Sequence, residues 1–145
     1  MYQKILLAYD GSEKGQKALI ECQELAEWMK AELTLIAVMP SHIESIGVEG
    51  AFFIDEVPSR DTASYQAFLD KGLEQLSNLG YEAKGELLVG DVVREITEYA
   101  ARISADLIVV GHQHETNWVR RWWGGSVTSS LVEFSPCNVL MVVRH

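Results

Sequence analysis

Between Gly111 and Thr128 the chain carries residue types suited to holding an anion. A strand-like run, Leu107-Ile108-Val109-Val110, ends at Gly111, and Gly124-Gly125-Ser126-Val127-Thr128 opens a helix-like segment. Glycines permit positive φ and close backbone approach. A helix start presents N–H groups without intrahelical acceptors at the positive end of the dipole. Together these features describe a phosphate cradle. The segment holds no Gly-Lys-Ser/Thr, so it is not a Walker P-loop.

The residues between the glycines add further chemistry. His112, His114 and Glu115 could touch a phosphate or a metal. A zinc site needs three or four ligands fixed in space, and these are only neighbours in sequence, so no metal ligand is assigned. Arg120 and Arg121 form the only adjacent basic pair in the chain. They are either solvated charges or guanidinium forks for phosphate oxygens. Trp118, Trp122 and Trp123 would share one face of a helical turn, as a lid over a ligand or a partner surface would need.

Composition bounds the options. At 145 residues and 48% hydrophobic, the chain can bury a full core, and residues 1–145 read as a single domain. Its 21 acidic and 12 basic residues give a net charge of −9, which argues against nucleic acid as a partner because backbone binding needs clustered Lys and Arg. No run approaches the roughly 18 to 20 apolar residues of a membrane span, and the apolar stretch near Met1 is too short for a signal peptide. A cytoplasmic location is expected. Cys22 and Cys137 lack any ligand spacing and read as reduced packing residues.

The elements that must position these residues follow from alternating apolar runs and helical periods. Ile5 to Tyr9 reads as a strand ended by Asp10-Gly11-Ser12, with Ser12 as N-cap of a first helix whose apolar stripe is Ala18, Cys22, Leu25 and Met29. Leu33 to Val38 is the second strand, stopped by Pro40. Ser41 to Arg60 reads as a long connection. Tyr65 to Leu79 marks the second helix, closed by Gly80. Ala83 to Val89 is the third strand, and Asp91 then caps a helix through Ile103. Asp106 to Gly111, Ser126 to Phe134 and Asn138 to Val143 complete the order as strand, helix and strand. The short apolar strands predict an α/β fold, a doubly wound five-stranded parallel sheet flanked by four helices. In such a sheet ligands bind beyond the carboxyl ends of the strands, here at Asp10, Met39-Pro40, Gly90-Asp91 and Gly111-His112. Asp10 and Asp91 would either cap the helices that follow or accept hydrogen bonds from ribose hydroxyls or adenine N6.

These motifs resemble the universal stress proteins over the whole chain. The opening Ile5-Leu6-Leu7-Ala8-Tyr9-Asp10-Gly11-Ser12, Gly90-Asp91 with Glu95-Ile96, Asp106 to Gly111, Gly125-Ser126-Val127-Thr128 and Pro136 to Val143 carry the resemblance. It implies a Rossmann-like domain that binds ATP or AMP, with magnesium brought by the nucleotide. Ala8, Tyr9, Asp10 and the backbone at Val38 would meet adenine and ribose, and Gly90 would pass close to the nucleoside. Gly111 would turn the chain under the phosphates. His112, His114, Arg121, Gly124, Gly125, Ser126, Val127 and Thr128 would complete the phosphate side. The resemblance also implies a homodimer built on Asn138 to Val143, an apolar last strand whose free edge invites pairing.

Two departures bear on the phosphate side. His114 stands where the family's nucleotide-binding pattern has its second glycine, and ten residues, Glu115 to Gly124, precede Gly125-Ser126 where that pattern has nine. The readings are therefore a homodimeric stress-response switch or docking module that binds an adenine nucleotide with at most slow hydrolysis, or a nucleotide-free dimeric interaction module with a closed phosphate site and a protein partner of its own. No general base is evident, and no catalytic residue is assigned.

Overall fold

The computed structural model describes residues 1–9, 13–40, 62–113 and 125–144, the backbone alone in places. Nine elements alternate along it. They are β1 (Lys4–Ala8), α1 (Glu13–Met29), β2 (Glu32–Pro40), α2 (Thr62–Asn78), β3 (Lys84–Gly90), α3 (Val92–Ile103), β4 (Leu107–Gln113), α4 (Gly125–Phe134) and β5 (Asn138–Arg144). The five strands form one parallel sheet in the order β3-β2-β1-β4-β5, so the crossovers reverse direction between β1 and β4.

Strand alternation sends side chains into two cores. Ile5, Leu7, Tyr9, Leu33, Leu35, Ala37, Leu107 and Val109 face α1 and α2, where Leu19, Cys22, Ala26, Leu69 and Leu76 meet them. Leu6, Ala8, Ile36, Val38, Leu88, Ile108 and Val110 face α3 and α4. The central strands are therefore buried on both faces, as their unbroken apolar runs predict. The edge strand β3 departs from that expectation: only Leu88 is buried in it, because no strand lies beyond it.

Local signals set the helix ends. Asp91 caps α3, its Oδ1 accepting the Arg94 N–H at 2.8 Å. After α2, the N–H of Gly80 donates to Ser77 and that of Tyr81 to Leu76. Gly80 takes the positive φ of 82° that this closure requires. The same geometry ends α1 at Lys30 and α3 at Ser104, with φ of 54° and 55° on non-glycine residues.

Two strand ends correct the sequence expectation. Pro40 does not stop β2 short: it is the last ladder residue and pairs with Gly90. It is tolerated there because β1 pairs only as far as Ile36, so β2 is one-sided by then. Likewise β4 does not end at Gly111. It runs to Gln113, with Gly111 paired to Val142 and His112 to Val143. The expected caps and connections at Asp10, Gly11, Ser12 and residues 41–60 lie outside the described residues.

Candidate functional site

The reversal between β1 and β4 opens a notch at the carboxyl edge of the sheet. Ala8 is the last β1 residue in the ladder, paired to Ile36 on one side and Val110 on the other. Its neighbours run on, β2 to Pro40 and β4 to Gln113. The Tyr9 N–H donates to the Ile36 carbonyl at 2.8 Å. Because backbone groups alternate sides along a strand, the next carbonyl aimed that way is that of Val38, past the end of β1. The Val38 side chain itself is buried toward α3 and α4, at 2% exposure. Only its backbone could serve a ligand.

Ala8 and Tyr9 behave alike. Ala8 is buried toward α3 and α4, whereas the Tyr9 ring turns into the opposite core. A Cβ on Gly72 of α2 would lie 2.8 Å from Leu35 Cδ2 and 3.1 Å from Tyr9 Cε1, so the glycine lets α2 pack closely on both side chains. An adenine stacked on Tyr9 is excluded by that packing, and the residue offers its backbone alone.

On the far wall, Gly111 carries no turn. Gly80 and Gly90 are the positive-φ glycines among the described residues. A Cβ on Gly111 would sit 3.3 Å from the Ala18 Cβ, so the glycine permits close packing of α1 on β4. The expectation that Gly111 turns the chain under a phosphate is thereby corrected. The chain next appears at Gly125, where α4 begins. The first-turn N–H groups, from Gly125 to Thr128, have no acceptor within the helix. The backbone of His112 lies in β4, while Asp10, His114, Arg121 and Gly124 lie outside the described residues.

At the β3 end, Gly90 has φ 150° and lies under Glu95 of α3. Neither periodicity nor composition singles out Glu95 as a site residue. The signal that could have found it is its place in the first turn after the Asp91 cap, where an acidic side chain folds back toward the strand end.

One displaced titration lies at this edge, that of Arg94, raised first by the Glu98 carboxylate it hydrogen-bonds and further by Glu95 and Asp91; the others sit away from it. Asp106, at the opposite edge, is held below the ordinary aspartate range by the N–H groups of Gln3 and Lys4 at 2.7 and 2.8 Å. Burial raises the Cys22 thiol to about 12. Burial first, then the Glu86 carboxylate, raises Tyr99 to about 12, with the Arg102 guanidinium stacked 4.7 Å from its ring. Among the described residues no His, Cys, Asp and Glu group of three is placed to hold a metal ion. No helix among them is long and apolar enough to cross a membrane.

A second concavity, about 350 Å³, lies along β5 rather than at the strand ends. Cys22 and Leu25 of α1 and Leu140 and Val142 of β5 line it. Around that edge Leu140, Val132 and Phe134 are 41, 63 and 62% exposed.

Known proteins agree with this architecture. Universal stress protein YxiE of Bacillus subtilis is 29% identical, over 98% of this chain and 99% of its own length. The solved structure of universal stress protein UspA from Lactobacillus plantarum is 27% identical with a TM-score of 0.72, covering 97% of both chains. That of hypothetical protein MJ0577 is 26% identical with a TM-score of 0.74, covering 100% of this chain and 98% of that one. The sequence profile of the universal stress protein family matches residues 1–143, and the chain belongs to that family.

Proposed function

We propose that this chain is a stress-response regulatory protein that binds an adenine nucleotide, ATP or AMP, across the notch above β1. The observation that carries the reading is the pairing of that notch with the start of α4. A gap where β1 ends before β2 and β4 lies at the topological reversal, and the helix after β4 begins with Gly125-Ser126-Val127-Thr128. Crevices at such reversals take ligands, and free N–H groups at a helix start take phosphates. Universal stress proteins of the same fold, 22, 18 and 16% identical to this chain, have been solved with cAMP, dAMP and AMP respectively.

In this reading the Val38 carbonyl and Asp10 meet the nucleoside, and Gly125 to Thr128 hold the phosphates with His112, His114, Arg121 and Gly124 nearby. Magnesium enters on the phosphates, keeping water and phosphate oxygens as its ligands. Binding rather than rapid turnover is the activity, and hydrolysis is slow. The bound state would change what the protein docks with in the cytoplasm.

The protein works as a homodimer through β5. That strand is an edge, apolar from Val139 to Val143, and flanked by the exposed Val132, Phe134 and Leu140. Unpaired edges of this kind are aggregation hazards that a second copy removes.

The decisive experiment heats the purified protein, assays the supernatant for released ATP or AMP, and follows melting with added nucleotide. At 100 times the dissociation constant the ligand contributes about 2.7 kcal/mol. For a domain of this size that raises the melting temperature by about 5 to 10 °C. No released nucleotide and no shift with ATP, ADP or AMP would leave the nucleotide-free interaction module as the reading.

A further inference from the structure

We propose that Glu95 fixes the nucleoside end of the ligand, its carboxylate accepting a hydrogen bond from a neutral donor, either the exocyclic amine of the base or a ribose hydroxyl. The inference rests on the adenine-nucleotide reading above.

Geometry places this side chain over the strand ends rather than in solvent. A Cβ built on Gly90 would meet Glu95 Oε1 at 2.6 Å and its Cδ and Cγ at 3.1 Å. The side chain therefore folds back from the first turn of α3 onto the end of β3, and the residue is half-buried. The φ of 150° favours glycine at position 90, and a Cβ there would push the end of the Glu95 side chain aside.

The Arg94 guanidinium hydrogen-bonds Glu98 and acts on Glu95 only through its charge. Of the two acids at this end, Asp91 is already committed to the Arg94 N–H at 2.8 Å. The Glu95 side chain accepts no hydrogen bond from another described residue. The residue paired with Gly90 across the ladder is Pro40, which has no N–H. No described residue donates to the Glu95 carboxylate, so its oxygens can accept from a ligand.

Charge then fixes which part of a nucleotide comes here. A carboxylate repels phosphate and welcomes a neutral N–H or O–H, while the α4 start does the reverse. Both helices lie on the same face of the sheet, which puts Glu95 and the α4 start on one side. Three strand spacings, about 14 Å, separate β3 from β4. An extended nucleotide bridges that distance with its base toward Glu95 and its phosphates toward Gly125.

Titration calorimetry of the full chain with ATP, 2′-deoxyATP and the triphosphate of purine riboside, which lacks the amine, tests this. Glu95→Ala should weaken ATP binding about tenfold or more, as loss of a hydrogen bond to a charged group does, and Glu95→Gln should weaken it less. One of the two analogues should bind the unaltered protein about tenfold more weakly than ATP, and Glu95→Ala should erase that difference. Should Glu95→Ala fail to fold, Glu95→Gln carries the comparison. Equal ATP affinity in variant and parent, or an equal loss for all three ligands, would overturn the role of Glu95 while leaving nucleotide binding intact. No binding of ATP by the unaltered protein would overturn both.

Discussion

Gly111 of β4 and Ala18 of α1 approach so closely that a methyl group on the glycine would lie 3.3 Å from the alanine Cβ. The first glycine of the phosphate-binding pattern is thus also a packing residue. Gly111→Val should cost about 1 to 3 kcal/mol of stability from overpacking, a fall of several degrees in melting temperature. Ala18→Gly should recover part of that loss in the double variant. A Gly111→Val protein that melts like its parent would show that α1 is free to shift.

At the start of α4, Gly125→Val places a branched side chain where the proposed phosphates lie. The helix should still form, since β-branched residues lower helix propensity only slightly. The melting shift produced by ATP should vanish while the ligand-free melting temperature moves little. Retention of the full shift would put the phosphates elsewhere.

Leu140 projects from the free edge strand at 41% exposure. Leu140→Arg puts a charge on that apolar edge, and in a symmetric β5 pairing centred near residue 140 it sets two like charges close together, which is destabilising. Light scattering after size exclusion should move from the dimer mass to the monomer mass. A variant that stays dimeric would move the interface off β5.

Asp106 accepts the N–H groups of Gln3 and Lys4, which depresses its folded pKa. The folded value lies below the unfolded one, so this contribution is present in full above the ordinary aspartate value of 3.8 and is lost as pH falls below it. Asp106→Asn should therefore be less stable than the parent at pH 7, and the gap should close in acid. A gap that is constant from neutral pH to below the aspartate range would contradict the assignment.

The two thiols should differ in reactivity. Cys22 is 1% exposed with its pKa pushed to about 12, whereas Cys137 is half-buried beside the Ser135 hydroxyl. Thiolate is the reactive form, so iodoacetamide at pH 8 should label Cys137 first and Cys22 only on unfolding. Equal labelling rates in the folded protein would mean that the α1 core opens readily.

Much of this was legible in the chain because it is local. Apolar runs and helical periods gave all nine elements, Asp91 gave the α3 cap, and Gly80 gave the end of α2, since each depends on residues within one or two turns. The resemblance motifs pointed to the carboxyl edge of the sheet. What failed did so for non-local reasons. Pro40 does end β2 but is itself in the ladder, which the short reach of β1 allows, and Gly111 looked like a turn until α1 proved to need the space.

The sequence by itself determined the order and type of the elements and the family, because propensity, capping and periodicity act over a few residues. Only the tertiary structure decided that Tyr9 is buried on Gly72 with only its backbone left, that the Val38 carbonyl is aimed past the end of β1, and that Glu95 lies over Gly90. Those relations join segments distant in the chain or depend on which face each crossover covers, and no local pattern encodes where two strands end relative to one another.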